Sequence, residues 1–235
     1  MYKELKAVLY YFLLDYRFSL GVFWTILISS LIGFSLIGLI GDGIGNVVIV
    51  TSLPVLIYCI VSGINMTKET FPFCIKMGVT RHQYMLGSAL FTLLLSVGMS
   101  LVHLIISYGY DWLLKLGSIE GITHYSLLQF FSLSNTWFNE LWLLAFLNFV
   151  FLGFGILFGT IIYRYGLVGG FSTVAVLVFL FVLPTSREAL IERMLLVNNG
   201  QLSIQFGFLF VLTSIVFFQN WLLIRKASTM AASTR

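Results

Sequence analysis

Few side chains in this sequence suit acid–base, metal or thiol chemistry: three His, two Cys and nine acids among 235 residues. His82, His103 and His124 fall in different loops and apolar runs. Cys59 lies in an apolar run and Cys74 in a loop, so they supply neither a disulfide framework nor a metal set. There is no G-x-S-x-G elbow, no H-E-x-x-H, and no Ser-His-Asp or Cys-His set visible within the apolar runs. The Gly-Leu-Ile-Gly-Asp-Gly-Ile-Gly run around Asp42 is superficially like a phosphate loop. It lacks G-x-x-x-x-G-K-[ST], follows no strand and joins two apolar runs, so it reads as a turn. His103 is the one titratable side chain well inside an apolar run, which makes it a functional candidate, with Asn148 as a second polar group on a possible pathway. The competing reading is a neutral imidazole hydrogen-bonded to a neighbouring helix. That reading is favoured because no acid lies at similar depth.

The elements that position these groups follow from composition. Residues are 59% hydrophobic and 9% charged, against roughly 25% charged in a soluble domain, and mean hydropathy is +1.01. Too little polar surface is available for a cytosolic enzyme, a nucleic-acid module or a disordered chain, which leaves an integral membrane protein. The net charge of +4 then reflects positive-inside bias rather than nucleic-acid binding. At about 20 apolar residues per helical span, the chain holds at most about six or seven spans and no sizeable soluble domain.

Six continuous runs are long enough to cross as helices: 18–40, 44–66, 84–110, 141–163, 165–183 and 202–224. A barrel would show alternating ten-residue segments instead. The expected fold is an all-α membrane protein forming a single transmembrane domain over 1–235. Pro54 is expected to kink the second span. The first span starts too late, is too long and lacks an A-x-A site, so it is not a cleavable signal peptide.

With the N-terminus inside, the cytoplasmic side holds Lys3, Lys6, Arg17, Lys68, Lys76, Arg81, Arg164, Arg225, Lys226 and Arg235. The outer side holds Lys115, Arg187 and Arg193. This bias places both termini in the cytoplasm of a multi-pass plasma-membrane protein. In the first seventeen residues, Tyr2, Leu5, Leu9, Phe12, Leu13 and Tyr16 form one helical stripe, with Lys3, Glu4, Tyr11 and Asp15 on other faces. That pattern predicts an interfacial helix over 1–17; the alternative is a cytoplasmic extension of the first span.

Small residues recur four apart: Gly155 and Gly159, Gly166 and Gly170, Ser29 and Gly33, Ser96 and Ser100. Such pairs let backbones approach, either inside the bundle or at a subunit interface. The chain turns at Tyr163-Arg164-Tyr165. The long outer loop, 111–140, carries Trp112, Tyr125, Phe130, Phe131, Trp137 and Phe138, as interface anchors or as a lid for an amphipathic substrate.

The inner loop at 66–83 is the most informative stretch. Thr70 suits a helix cap, Pro72 a first turn, and Gly78 a terminator. Thr80 with Gln83 forms a capping box for the third span. The result is a short helix over 71–77 whose Phe71, Phe73, Ile75 and Met77 are too apolar for a solvated loop. Such a helix packs on the membrane or docks into a partner's groove.

The segment Phe71-Pro72-Phe73-Cys74-Ile75-Lys76-Met77-Gly78-Val79-Thr80-Arg81 is similar to the F-P-F-x-x-x-x-G-x-[ST]-R pattern of small Firmicute permeases. With an amphipathic N-terminal helix and six spans, the chain resembles an ABC-2-type ABC-transporter permease subunit. The resemblance implies an elbow helix, a coupling helix and a dimer of two permeases with two cytoplasmic ABC ATPase subunits. Phe71, Pro72, Phe73, Lys76, Met77 and Arg81 would then couple to the ATPase. This chain has no Walker A motif, so it is expected to hold no cofactor and to hydrolyse nothing; ATP and Mg would sit in the partner. Permeases for lantibiotic immunity and for amphipathic phenol-soluble modulins are closest in style, which makes an amphipathic or antimicrobial peptide the expected cargo, with a lipid or drug as alternatives. A stand-alone channel or secondary carrier is the second class of function; its usual paired intramembrane charges or broken helices are missing from the sequence. An intramembrane enzyme would need a nucleophile–base pair.

Overall fold

The computed structural model describes residues 2–40, 47–117, 122–127, 136–184, 195–198, 201–204 and 206–225. The turn at Gly41-Asp42-Gly43, the side chains of Phe130 and Phe131, and most of the loop at 184–201 lie outside the described residues. Helix α1 (Tyr2–Ile40) is continuous. The helix boundary expected at residue 17 is therefore absent, and residues 2–17 run unbroken into the helix of the first span. Two features explain it. No Gly or Pro interrupts 16–20. The buried residues Val8, Phe12, Tyr16, Leu27 and Leu31 also keep one face in phase across the expected boundary. That stripe is covered by protein: Phe12 stacks on Phe91 at 4.8 Å, and the Tyr16 hydroxyl donates to the Ser62 carbonyl at 2.7 Å. At about 58 Å, α1 is nearly twice as long as a membrane core is thick.

The second span starts later than its hydropathy suggests. Val47–Ile49 forms strand β1, paired in parallel with β2 (Ile122–His124), Val47 against Ile122 and Ile49 against His124. Helix α2 (Ser52–Asn65) follows. Pro54 lies in its first turn, where a missing N–H costs no intrahelical bond, so the expected kink does not arise. The helix runs through a π-helical turn (Met66–Thr70) into α3 (Phe71–Lys76), with αR backbone at each junction. The expected isolated helix over 71–77 is thus the tail of a longer helical run. Thr70 does not cap it; its hydroxyl instead donates to the Asp15 carboxylate at 3.4 Å, tying this run to α1.

The other local signals behave as expected. Gly78, at φ +88, ends α3 in a Schellman motif. Val79 N–H reaches the Cys74 carbonyl at 3.1 Å, and Gly78 N–H reaches that of Ile75 at 3.0 Å. The Thr80–Gln83 capping box opens α4 (Arg81–Leu116).

Helix α5 (Trp137–Val182) breaks at Gly166, with φ 71 and ψ −165. Residues 163–165 stay helical, so the expected turn moves to the first residue whose missing Cβ permits that backbone. The chain doubles back there. A Cβ at Gly170 would sit 2.9 Å from Ile162 Cγ1 and 4.0 Å from Phe158 Cζ, although residues 158 and 170 of a straight helix lie about 18 Å apart. An antiparallel pair, β3 (Leu195–Asn198) and β4 (Gln201–Ile204), precedes α6 (Phe206–Arg225). Strand β4 therefore takes the start of the expected sixth span at 202. Among the described residues, three helical stretches are long and apolar enough to cross a membrane: Leu5–Gly38, Arg81–Leu116 and Trp137–Val176. The fold is predominantly α-helical and compatible with a multi-pass membrane protein.

Candidate functional site

The 71–81 segment divides into a buried and an exposed set. Phe71 is 1% exposed, edge-on to Tyr84 at 5.1 Å and Tyr163 at 5.5 Å. It belongs to the core and cannot fill a partner's groove, which corrects the sequence expectation. The reason is the π-turn, which rotates the first residues of α3 inward. Pro72 is half-buried. Phe73 is 43% exposed and stacks on Tyr11 at 4.8 Å. Lys76 is exposed, and Met77 is 72% exposed. Arg81 does not stand free at a rim either: its guanidinium donates to the Arg225 carbonyl and caps the last turn of α6. The accessible face is Phe73, Lys76 and Met77.

Cys74, beyond the span, is buried. Burial first, and the Asp15 carboxylate second, push its thiol from 9.0 up to about 11. At pH 7 this keeps the thiolate, the form that reacts with a maleimide, scarcer than in an exposed cysteine. A maleimide should leave Cys74 unlabelled from either side of the membrane, while Met77→Cys should label rapidly. Fast labelling of wild-type protein at pH 7, with mass mapping to Cys74, would contradict this burial.

The glycine pairs resolve in favour of internal packing for Gly155 and Gly159. A Cβ at Gly155 would lie 2.3 Å from the Ile60 carbonyl oxygen, and one at Gly159 would lie 2.7 Å from that of Ile64. The facing residue on α2, Gly63, has no sequence partner four away, yet its Cβ would meet Leu152 O at 2.5 Å. Gly166 is the break in α5 rather than a packing position. Gly170 packs on Ile162 of the preceding arm. Gly33 has open space around its missing Cβ.

At the opposite end of α2 a polar chain assembles that the sequence does not announce. Thr51 Oγ1 lies 2.9 Å from His103 Nε2 and 3.0 Å from His124 Nε2. His124 Nδ1 lies 2.7 Å from Asp111 Oδ1, and Ser107 Oγ stands 3.5 Å from His124 Nε2. Thr51 and His103 are 3% and 2% exposed; Asp111 is 41% exposed at its side chain. In the tautomer that sets the His124 proton on Nδ1, facing the Asp111 carboxylate, Nε2 is left as an acceptor. Thr51 then donates to His124 and accepts from His103 Nε2–H. Among the described residues His103 Nδ1 is then left as an acceptor with no partner. One turn earlier on α4, Ser100 Oγ accepts from Asn148 Nδ2 at 3.1 Å, and Asn148 Oδ1 has no partner among the described residues. His103 and Asn148 thus both sit in the buried polar interior of α2, α4 and α5. His103 gains an acid at the end of a relay, where the sequence placed none.

This chain has a hydroxyl–imidazole–carboxylate order. The hydroxyl is enclosed and shared by two rings, so it holds or passes protons rather than attacking a substrate. The strand pairing carries His124 across to Thr51. Three-residue strands leave no periodicity to read, and this is why the cluster escapes sequence inspection. Among the described residues no group of three or more His, Cys, Asp or Glu could hold a metal.

No family model, no curated protein and no solved structure matches this chain.

Proposed function

We propose that this chain is the membrane-spanning subunit of an ATP-driven ABC exporter, of ABC-2 type, working as a dimer with a second permease and two ATPase subunits. The observation that carries the proposal is α3. It offers Phe73, Lys76 and Met77 to a partner, while Phe71 and Cys74 lock it into the core. Its continuity with α2 through the π-turn makes it a lever: force on Met77 reaches α2, which is wedged against α5 at Gly63, Gly155 and Gly159. The partner supplies ATP and Mg. Six crossings follow in this reading: α1, α2, α4, the two arms of α5 about Gly166, and α6, with both termini cytoplasmic. The cargo is an amphipathic or antimicrobial peptide, leaving through a bacterial plasma membrane.

Met77 is mostly exposed, and Phe73, 43% exposed, has its ring stacked on Tyr11, so Met77→Asp and Phe73→Asp leave the buried core residues in place. Both should insert and fold normally yet lose the ATPase in pull-down. Burying one such apolar side chain is worth roughly 1.5–3 kcal/mol, so affinity should fall about ten- to a hundredfold. Phe71→Asp should abolish folding itself. Wild-type ATPase recovery and transport in both surface variants would overturn α3 as the docking face, and a wild-type chain that brings down no ATPase would return the second reading, a stand-alone secondary carrier. That reading is favoured by the Asp111–His124–Thr51–His103 chain.

A further inference from the structure

The end of the bundle that carries α3 also holds a cavity of about 400 Å³ between the start of α4 and the end of α6. Its lining is Arg81, His82 and Met85 from α4, with Trp221, Ile224 and Arg225 from α6. Met85 and Ile224 are buried and make an apolar floor. Arg81, His82 and Arg225 make a basic rim. The guanidinium of Arg225 lies over the Trp221 ring at 5.6 Å, a cation–π contact. Arg81 spends one N–H on the Arg225 carbonyl and keeps its other donors. Arg81 and Arg225 both line this cavity, and among the described residues neither pairs with an acid.

We infer that this cavity binds the phosphate of an anionic phospholipid headgroup. Two guanidinium groups offer forked N–H donors matched to phosphate oxygens. The site lies at helix ends, where headgroups are, and a basic pocket between helices beside an interfacial Trp is the form such sites take. The apolar floor favours a lipid over free phosphate, because it gives the glycerol and first methylenes somewhere to lie. This site rests on the lining of the cavity and its place at the helix ends, not on the proposed transport function.

The test uses the full-length protein in nanodiscs of phosphatidylcholine with one-fifth phosphatidylglycerol, released for native mass spectrometry. Wild type should retain phosphatidylglycerol about tenfold over phosphatidylcholine. Arg225→Gln keeps the carbonyl that Arg81 holds, and should lose most of that preference with an unchanged melting curve. Arg164→Gln, which removes an arginine outside the cavity, should keep it. Equal retention in wild type and Arg225→Gln, or equal loss in Arg164→Gln, overturns the site. A third arm adds inorganic phosphate to detergent-purified protein. Displacement of the lipid by millimolar phosphate would mean that the cavity reads soluble phosphate, which overturns the lipid assignment.

Discussion

Gly155→Ala is expected to destabilise the protein by about 3 kcal/mol or more, at the upper end of what overpacking costs. The added methyl would stand 2.3 Å from the Ile60 carbonyl oxygen and 3.0 Å from Gly63 Cα. Both are backbone atoms of a helix, so neither can swing aside as a side chain would. Relief requires α2 and α5 to separate along their whole contact, which also disturbs Gly63 against Leu152 and Gly159 against Ile64. Gly98→Ala is the control. Its methyl meets nothing within 4 Å, and a helical glycine costs about 0.5–1 kcal/mol relative to alanine, so this variant should be neutral or stabilised. Thermal unfolding of both variants in one detergent checks the pair. A Gly155→Ala midpoint at or above wild type would mean that the α2–α5 approach is looser than 2.3 Å implies.

How far the sequence could lead is visible at these same positions. Gly155 and Gly159 show themselves because both halves of the motif lie on one helix. Gly63, their counterpart, shows nothing, since its contact is with another helix and leaves no spacing in the chain. Local chemistry is legible wherever the partners are neighbours: Thr80 with Gln83, or Gly78 after α3. Thr70 fails as a cap because a π-turn keeps its backbone helical, and nothing in Met66-Thr67-Lys68-Glu69-Thr70 announces that turn. The same turn carries Phe71 inward, so hydropathy marked an apolar helix correctly but could not say which phenylalanine faced out. Residues 1–17 show a related limit. A lipid interface and a neighbouring helix both demand an apolar stripe, and only the position of Phe91 and Tyr84 shows that protein covers much of it.

Thr51→Val should cost about 2–5 kcal/mol, from one change that keeps the side chain's shape. The hydroxyl is shared by His103 Nε2 at 2.9 Å and His124 Nε2 at 3.0 Å. A methyl in its place strands a buried donor on one ring and leaves the other with only Ser107 at 3.5 Å. Each buried polar group left unmet costs about 1–3 kcal/mol. The expected signature is non-additivity. Once Thr51 is valine, His103→Leu removes the stranded donor, so the double variant should be more stable than the sum of the single changes by about 1–3 kcal/mol. Simple additivity would show that the two side chains do not share a bond. Because Thr51 precedes α2 and His124 ends β2, losing the hydroxyl also frees the strand pair from α4. Amide exchange at Val48 and Tyr125, whose N–H bonds the Ile49 carbonyl at 3.0 Å, should accelerate in Thr51→Val while exchange at α3 stays unchanged. Faster exchange at both ends would mean that the relay and the α3 lever are joined through α2, so that the state of the buried histidines is felt where a partner would push.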